Sequence, residues 1–198
     1  MKKILLASVF TLLLISTSFA QVAENAEDVT PLKVDDIMPT IELLDLDGTI
    51  TSTESIISEQ PTIFLFYRGG WCPYCNAHLA AVGQSIKEIT ALGYQIVGIS
   101  PDSPENLSKL IDKNELTYSL YSDGDGTLIK AMGIAFKAPK KYQSMLEDFS
   151  DDKNSELLPV PSIFVVDTDG TILYEYVNPD YKTRLSAEDL IETLEELE

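Results

Sequence analysis

Three largely apolar runs constrain the fold of this chain more than any other feature of its sequence. They read PTIFLFY at residues 61–67, YQIVGIS at residues 94–100 and SIFVVD at residues 162–167. Such runs lack the strict alternation of a half-exposed strand and are typical of strands buried on both faces. A strand of that kind needs a covering layer on each side, so the runs predict a sheet enclosed between helices.

Helical patterns lie between and after these strands. Apolar residues recur at helical spacing after the first run, and Gly93 ends the pattern, which predicts a single helix there. The apolar positions are Leu79, Val82, Ile86 and Ile89. Ser103 before Pro104 predicts the start of a second helix, and Ser186 predicts the start of a last, acidic one.

Two hairpins complete the predicted sheet. TIELLDLDGTI at residues 40–50 contains two short extended pieces around an Asp-Gly turn, and TILYEYV at residues 171–177 pairs with the third run. The predicted fold class is α/β, a three-layer sandwich with a central mixed β-sheet, helices on both faces and an added N-terminal hairpin. Residues 137–158 interrupt this rhythm as a charged insertion, which we expect to be partly helical and to lie on the surface.

The beginning of the chain is typical of a cleaved export signal. Two lysines precede an apolar run from Ile4 to Ile15, and Ser-Phe-Ala at positions 18–20 places small residues where a signal peptidase inspects the chain. The run is shorter than the ~20 residues needed to span a bilayer, so we expect no stable membrane insertion after cleavage.

The rest of the chain is expected to form one exported, strongly acidic domain. The predicted division is a signal peptide at 1–20, an acidic N-terminal segment at 21–31 and a single domain at 32–198. Of 14 basic residues the signal peptide takes two lysines and no acid, which leaves 12 − 32 = −20. That charge argues against binding to nucleic acid or anionic membranes. Export, to the periplasm in a bacterium, would place the protein where disulfides persist.

A short acidic triplet recurs along the chain. DLDGT, DGDGT and DTDGT begin at residues 45, 123 and 167. None continues with the further acidic ligands and distal Glu of a calcium loop, so we interpret them as turns and expect no metal.

Both cysteines lie in FYRGGWCPYCNAH at residues 66–78, together with the only histidine. Cys72 follows a buried strand and precedes Pro73, a residue favoured at the first helical position, so Cys72 is expected at the helix N-cap. Free helix amides and the helix dipole favour the thiolate there. Cys75, one turn further along, can attack a mixed disulfide or sulfenic acid on Cys72. The spacing therefore predicts a pair that cycles between dithiol and disulfide.

Other roles for this pair have less support in the sequence. A zinc site needs four ligands, and only His78 remains to offer nitrogen or sulfur. A disulfide staple across four residues removes little chain entropy. Copper handling by Cys72, Cys75 and His78 stays a minor alternative because soft thiolates suit Cu(I), although His78 by itself is better explained as a helix-surface residue.

Among the neighbours of the thiols, Trp71 and Arg68 are candidate supporting residues. Trp71 and Tyr74 are interpreted either as half-buried packing or as an apolar rim that shields the sulfurs and docks a partner. Arg68, just past the strand, either lends positive charge to a thiolate or is a solvated surface residue.

The strand, WCPYC, the helix and the later PVPSIFVVD together resemble the thioredoxin superfamily. That resemblance implies a thioredoxin-like sandwich whose cysteines face a cis-proline, and Pro161 matches this proline. From about residue 32 to 194 the chain is similar to the peroxiredoxins of the alkyl hydroperoxide reductase and thiol-specific antioxidant (AhpC/TSA) family. The similar segments include LKVDDIMPTIELLDLDGT, IVGISPDSPENLSKL and LYSDGDGTLIKAMGI. A peroxiredoxin-like branch of that family resembles it most, since it carries FYRGGWCPYC, the insertion and an ending similar to LPVPSIFVVDTDGTILYEYVNPDYKTR.

The resemblance also reveals departures from the peroxiredoxin motif. It places Cys75 on the peroxidatic cysteine, Cys72 on the motif threonine and Arg68 on the motif proline, while Pro161 falls where peroxiredoxins usually have an arginine. Helix-cap physics nominates Cys72 as the first nucleophile, whereas the resemblance nominates Cys75, and the sequence leaves both open. Arg68 is the candidate to replace the missing guanidinium.

The leading functional hypothesis is a peroxiredoxin-like thiol oxidoreductase that cycles Cys72 and Cys75. It would reduce hydroperoxides with electrons from a thioredoxin-type or other thiol reductant and would need no cofactor. The alternative is a periplasmic thiol-disulfide reductase or isomerase without significant peroxidase activity.

Overall fold

The computed structural model describes residues 22–197, so the predicted signal peptide at 1–20 lies outside the described residues. The strands are β1 Glu42–Leu44, β2 Ile50–Ser52, β3 Thr62–Phe66, β4 Gln95–Ser100, β5 Ser119–Ser122, β6 Ala135–Lys137, β7 Leu157–Pro159, β8 Ser162–Val166 and β9 Ile172–Val177. The α-helices are α1 Thr53–Ile57, α2 Pro73–Gln84, α3 Ile86–Ala91, α4 Pro104–Asn114, α5 Thr127–Ala131, α6 Gln143–Ser150 and α7 Ala187–Glu196. No helix within residues 22–197 combines the length and the apolar character needed to cross a membrane.

Seven of these strands form one mixed sheet in the order β2-β1-β5-β4-β3-β8-β9. Strands β3, β4 and β5 run parallel, whereas β8, β9 and the N-terminal hairpin pair antiparallel. The three apolar runs are the adjacent strands β4, β3 and β8, and Phe64 of β3 lies opposite both Val97 and Phe164. The prediction of a buried central sheet is confirmed.

Alternation along β3 divides the core into two layers. Ile63 and Leu65 face a cluster that includes buried residues of α2, α3, α4 and α7, while Phe64 and Phe66 face a cluster with buried residues of α1 and α5. Because all four side chains are at most 1% exposed, helices cover both faces of the sheet. This is the predicted three-layer α/β sandwich.

The single helix expected after β3 is instead two helices. Ser85 leaves helical geometry with φ −95° and ψ 7°, and its carbonyl accepts hydrogen bonds from the N–H groups of Glu88 and Ile89, which begins α3. Gly83 and Ser85 are weaker helix formers than their neighbours, which favours the break at this point. The apolar stripe continues across it, so the periodicity alone does not reveal the interruption.

The Asp-Gly-Thr triplets form turns, as predicted, but not all of them close hairpins. Asp45 Oδ1 accepts the N–H groups of Asp47 and Thr49 within the β1–β2 turn. Asp123 instead accepts the N–H groups of Leu128 and Ile129 and caps the start of α5. The second triplet is therefore a helix start.

The acidic N-terminal segment is ordered against the insertion. Ala23 N–H donates to the Ala135 carbonyl at 3.2 Å, and Lys137 N–H donates to the Ala23 carbonyl at 2.9 Å. The Glu24 carboxylate also pairs with the Lys137 ammonium. These contacts add a short extended piece beside β6, which forms a two-stranded sheet with β7.

The insertion at residues 137–158 is partly helical, as expected, but it does not only lie on the surface. Leu146 of α6 is 1% exposed and packs in a small apolar cluster with Ala138 and Leu158, against the half-buried Trp71. The expectation of a surface segment was wrong because α6 has an apolar side that the charged composition conceals. This packing brings the insertion to the cysteine motif.

Candidate active site

The first turn of α2 places Cys72 as predicted. Cys72 is the N-cap, with extended φ −89° and ψ 112°, and Pro73 is the first helical residue. The turn before it depends on Gly69, whose φ is 137° and whose ideal Cβ position lies only 2.4 Å from Trp71 Nε1. A side chain at residue 69 would displace Trp71, so glycine is required for this approach.

A buried carboxylate from the end of β4 fixes the same turn. Asp102, 1% exposed, accepts a hydrogen bond from Gly70 N–H at 2.7 Å, and its Oδ2 also accepts one from Ser100 Oγ at 3.0 Å. Burial raises the pKa of Asp102 to about 6, although both hydrogen bonds oppose the shift. This carboxylate therefore anchors the backbone that leads into Cys72.

The two sulfurs are reduced and differ in charge. Both side chains are only 1% exposed. A hydrogen bond from the Cys75 thiol is the largest influence on Cys72, and with smaller contributions from the Cys75 N–H, Arg68 and Arg184 it lowers the pKa of Cys72 to about 6 despite burial. Burial, followed by the hydrogen bond and the charge of Cys72, raises the pKa of Cys75 well above its usual range. These opposite pKa shifts favour the thiolate on Cys72 and the proton on Cys75.

This result corrects the predicted cause of the acidity of Cys72. The sequence pointed to free helix amides, but the Cys72 side chain makes no cap hydrogen bond of regular geometry. The Cys75 thiol outweighs the Cys75 N–H as the group that stabilises the Cys72 thiolate. The second cysteine therefore activates the first one as well as standing ready to trap its product.

Arg68 is a buried residue, so its interpretation as a solvated surface side chain is wrong. It is 4% exposed, and its guanidinium lies over the rings of Trp71, Tyr142 and Tyr181 at 4.8, 4.6 and 4.3 Å. From this position its charge helps to lower the pKa of Cys72. The supporting role predicted for Arg68 fits this geometry.

A second guanidinium, which sequence reasoning missed, comes from Arg184. Its Nη2 donates to Cys75 Sγ at 3.6 Å. The segment that carries it is ordered by Asp180, whose carboxylate accepts from the Lys182 N–H at 3.1 Å and from Thr183 Oγ1 at 2.9 Å. Two signals in the sequence include this segment, the turn-forming NPD before YKTR and the resemblance of the ending through YKTR to the peroxiredoxin-like branch, but neither indicates the direction of the arginine.

Trp71 and Tyr74 differ in their surroundings. Trp71 is half-buried and stacks on Tyr142 with 5.3 Å between ring centroids, which fits the packing interpretation. Tyr74 is 44% exposed and meets Tyr181 edge to face at 5.7 Å. Tyr74 is therefore the residue of the motif that the rim interpretation describes.

Pro161 lies beside Arg68 but lacks the geometry that the resemblance implied. No cis peptide bond occurs among residues 22–197, so the bond before Pro161 is trans. Hydrogen bonds on both sides hold an extended chain here, from Val160 N–H to the Ile134 carbonyl and from Asn178 N–H to the Pro161 carbonyl. A tight turn, the usual setting of a cis-proline, is absent at this position. Pro161 instead lines a cavity of about 260 Å³ whose wall includes Arg68.

His78 does not join the sulfurs. Its Nε2 lies 2.9 Å from the Leu185 carbonyl oxygen, and burial lowers the pKa of His78 to about 4. The residue is half-buried, so the helix-surface interpretation was only partly right. In the described part of the chain no three His, Cys, Asp or Glu side chains come together as a metal site, and the copper alternative lacks its ligand set.

Comparison with known proteins agrees with this fold. The AhpC/TSA family profile matches residues 34–175. The chain belongs to the AhpC/TSA family. Peroxiredoxin Bcp of Escherichia coli K12 is 28% identical over 155 residues, which cover 78% of this chain and 90% of that protein. It follows that this protein is a peroxiredoxin-like member of the thioredoxin superfamily and an oxidoreductase of the thiol peroxidase class.

Solved structures confirm the thioredoxin-like fold. Peroxidoxin BcpB from Mycobacterium tuberculosis matches with a TM-score of 0.66 at 24% identity, over 84% of this chain and 96% of that one. Reduced Prx3 from Vibrio vulnificus, solved in complex with hydrogen peroxide, matches with a TM-score of 0.71 at 16% identity, over 83% and 96%. Arg184 lies beyond the span matched by the family profile, so membership in the AhpC/TSA family does not by itself point to this residue.

Proposed function

We propose that this thiol peroxidase attacks hydroperoxides with Cys72 and resolves the product with Cys75. The observation that carries the proposal is the unequal charge of the two sulfurs. Cys72 has a pKa of about 6 and is largely ionised at neutral pH, while Cys75 keeps its proton. Because the thiolate is the reacting species, this inequality favours Cys72 over the position that the peroxiredoxin motif nominates.

The reaction balances with these two residues and an external dithiol. The Cys72 thiolate attacks one peroxide oxygen, the O–O bond breaks, and the leaving oxygen takes up a proton as alcohol or water. Cys72 is then a sulfenic acid. Cys75 attacks that sulfur, an S–S bond forms, and the hydroxyl leaves as water with the Cys75 proton. A thioredoxin-type or other dithiol donor returns the two electrons and is itself oxidised to a disulfide.

Burial of the sulfurs supports a hydroperoxide over a protein disulfide as the oxidant. Cys72 and Cys75 are each 1% exposed. Thiol-disulfide exchange requires the attacking sulfur to reach a disulfide, and access is one of the factors that set its rate. A small hydroperoxide needs far less open surface than a folded protein, so burial of the reduced sulfurs makes the reductase or isomerase alternative the less favoured one. Reduction by a thioredoxin-type donor then requires the site to open after the disulfide has formed, whereas a small dithiol needs less opening.

Export to a bacterial periplasm remains part of the proposal. It is supported by the signal-like pattern of residues 1–20. Intact-mass measurement of the protein from the native host tests it, since export predicts a mature chain that begins at Gln21. A chain that retains residues 1–20 in the cytoplasmic fraction would contradict export.

Single-cysteine variants test the chemistry. In stopped-flow oxidation by hydrogen peroxide, Cys75→Ser should still react and accumulate a sulfenic acid on Cys72 that dimedone traps. Cys72→Ser should react no faster than free cysteine, with the double variant as baseline. The reverse pattern would place the nucleophile on Cys75. A wild-type rate no faster than that of free cysteine would remove the peroxidase function and leave disulfide exchange.

A further inference from the structure

The guanidinium of Arg68 is buried without an acidic partner. Arg68 is 4% exposed. Ion pairs within residues 22–197 join Lys33 to Glu175, Lys109 to Glu105 and Lys137 to Glu24, and none includes Arg68. An isolated buried charge is costly unless other groups replace its hydration.

Aromatic rings provide that replacement. The Arg68 guanidinium carbon lies 4.8 Å from the ring centre of Trp71, 4.6 Å from that of Tyr142 and 4.3 Å from that of Tyr181. All three distances are within the range of cation–π attraction. The guanidinium beside the Tyr142 hydroxyl also lowers the pKa of that phenol, which agrees with direct contact. We refer to Trp71, Tyr142 and Tyr181 as the aromatic cage.

Two of the cage residues come from segments far from the cysteines in sequence. Tyr142 lies in the insertion, directly before α6, and its ring stacks on Trp71 at 5.3 Å with 30° between the planes. Tyr181 lies in the turn ordered by Asp180. The cage therefore forms only when both segments pack onto the cysteine motif.

We propose that Tyr142 and Tyr181 are positioning residues, whose rings hold the Arg68 guanidinium where its charge acts on the Cys72 sulfur, so that the insertion is part of the catalytic apparatus. The cavity of about 260 Å³ is lined by Arg68, Tyr142 and Tyr181, and it offers the guanidinium a place to move away from the sulfur when a ring is lost. This inference rests on the proposed function, in which Cys72 is the attacking thiolate.

The test compares Tyr142→Leu with Tyr142→Phe and with Phe149→Leu. Tyr142→Phe keeps the ring, and Phe149→Leu truncates an aromatic residue of the same insertion that lies outside the cage. The pKa of Cys72 is measured from the pH dependence of its alkylation by iodoacetamide. Every protein in this comparison carries Cys75→Ala, so that Cys72 is the only thiol. Since a nearby cation shifts a pKa by about 1 to 3 units, partial displacement of Arg68 should raise the pKa of Cys72 by roughly 0.5 to 1 unit in Tyr142→Leu.

The outcomes separate this inference from the proposed function. We expect the pKa of Cys72 in Tyr142→Phe and in Phe149→Leu to stay close to that of the Cys75→Ala protein. Tyr181→Leu is a second variant, which leaves the core of the insertion intact, and it should raise this pKa as Tyr142→Leu does. If the pKa of Cys72 were unchanged in both Tyr142→Leu and Tyr181→Leu, the proposed role of the aromatic cage would be wrong. It would also be wrong if Tyr142→Phe raised this pKa as much as Tyr142→Leu does. Because alkylation needs no peroxide, a shifted titration without peroxide reactivity would keep the cage and refute the peroxidase function.

Discussion

Replacement of Arg184 by glutamine should slow the second chemical step more than the first. Arg184 donates to Cys75 Sγ at 3.6 Å, and Cys75 has to lose its proton when it attacks the oxidised Cys72. Once Cys72 is a sulfenic acid, its negative charge no longer opposes ionisation of Cys75. The Arg68 N–H and the guanidinium of Arg184 are then the groups that favour the Cys75 thiolate, and only the guanidinium can be removed by a side-chain substitution.

The expected size follows from the distance and the exposure. Opposite charges about 4 Å apart attract by ~4 kcal/mol at an effective dielectric constant of ~20 and by ~1 kcal/mol in water. Arg184 is half-buried, so we expect a loss of about 1.5 to 2 kcal/mol in the stability of the Cys75 thiolate, or slightly over one pKa unit. A less acidic thiol is also more nucleophilic, with a Brønsted coefficient of ~0.4 to 0.5, so the net decrease in rate is about five-fold.

Trp71, the only tryptophan of the chain, provides the assay because it lies next to Cys72. Stopped-flow fluorescence at pH 7 should resolve a phase proportional to the peroxide concentration, which is oxidation of Cys72, and a phase independent of it, which is disulfide formation. Arg184→Gln should slow the second phase about five-fold and the first less than about two-fold, because Cys72 with a pKa of about 6 stays largely ionised. The control is Lys182→Gln, which removes an exposed cation from the same turn. A second phase as fast as in the control, or a first phase slowed more than the second, would refute this reasoning.

Three further predictions concern the thiolate, the turn and the buried acid. The rate of the first phase should fall to half of its plateau near pH 6 and continue downward in acid, since protonation removes the Cys72 thiolate; a pH-independent rate between pH 5 and 8 would contradict this. Gly69→Ala should cost about 2 kcal/mol of unfolding free energy in urea, because φ is 137° and the new Cβ would meet Trp71, whereas Gly48→Ala, at positive φ but in open space, should cost clearly less. Asp102 binds its proton more tightly in the folded protein, where its pKa is about 6, so its contribution to the free energy of unfolding falls as pH rises from about 4 to 6. Asp102→Asn should flatten the pH dependence of unfolding free energy in this range, and an unchanged slope would contradict the prediction.

The sequence predicted those parts of the fold that depend on local pattern. The apolar runs are recognisable as central strands because every residue of β3 and β8 is buried, which leaves no polar alternation. Cys72 is recognisable as a helix N-cap because Pro73 fixes the backbone angle of the first helical residue. Both inferences need only a few neighbouring residues.

The groups around the sulfurs could not be predicted in the same way. Tyr142 and Arg184 lie 184 − 142 = 42 residues apart, and both are distant in sequence from Cys72. They meet the motif through tertiary packing of the insertion and of the turn after β9, which leaves no periodic signal. The extended chain around Pro161 likewise involves residues distant in sequence, because Val160 N–H donates to the Ile134 carbonyl and Asn178 N–H donates to the Pro161 carbonyl.

The two guanidiniums divide the chemistry of the site between the two sulfurs. Arg68 is buried, and its charge acts on Cys72. Arg184 is half-buried and in contact with Cys75, and its charge makes only a smaller contribution to Cys72. The resemblance places Pro161 where peroxiredoxins usually have an arginine. An arginine at residue 161 would bring one guanidinium to one nucleophile. The loss of a cation at residue 161 therefore does not leave the site without positive charge. It leaves a site in which the attacking and the resolving sulfur can each be tuned by a separate residue, so that substitutions at Arg68 and Arg184 should affect different phases of the same reaction.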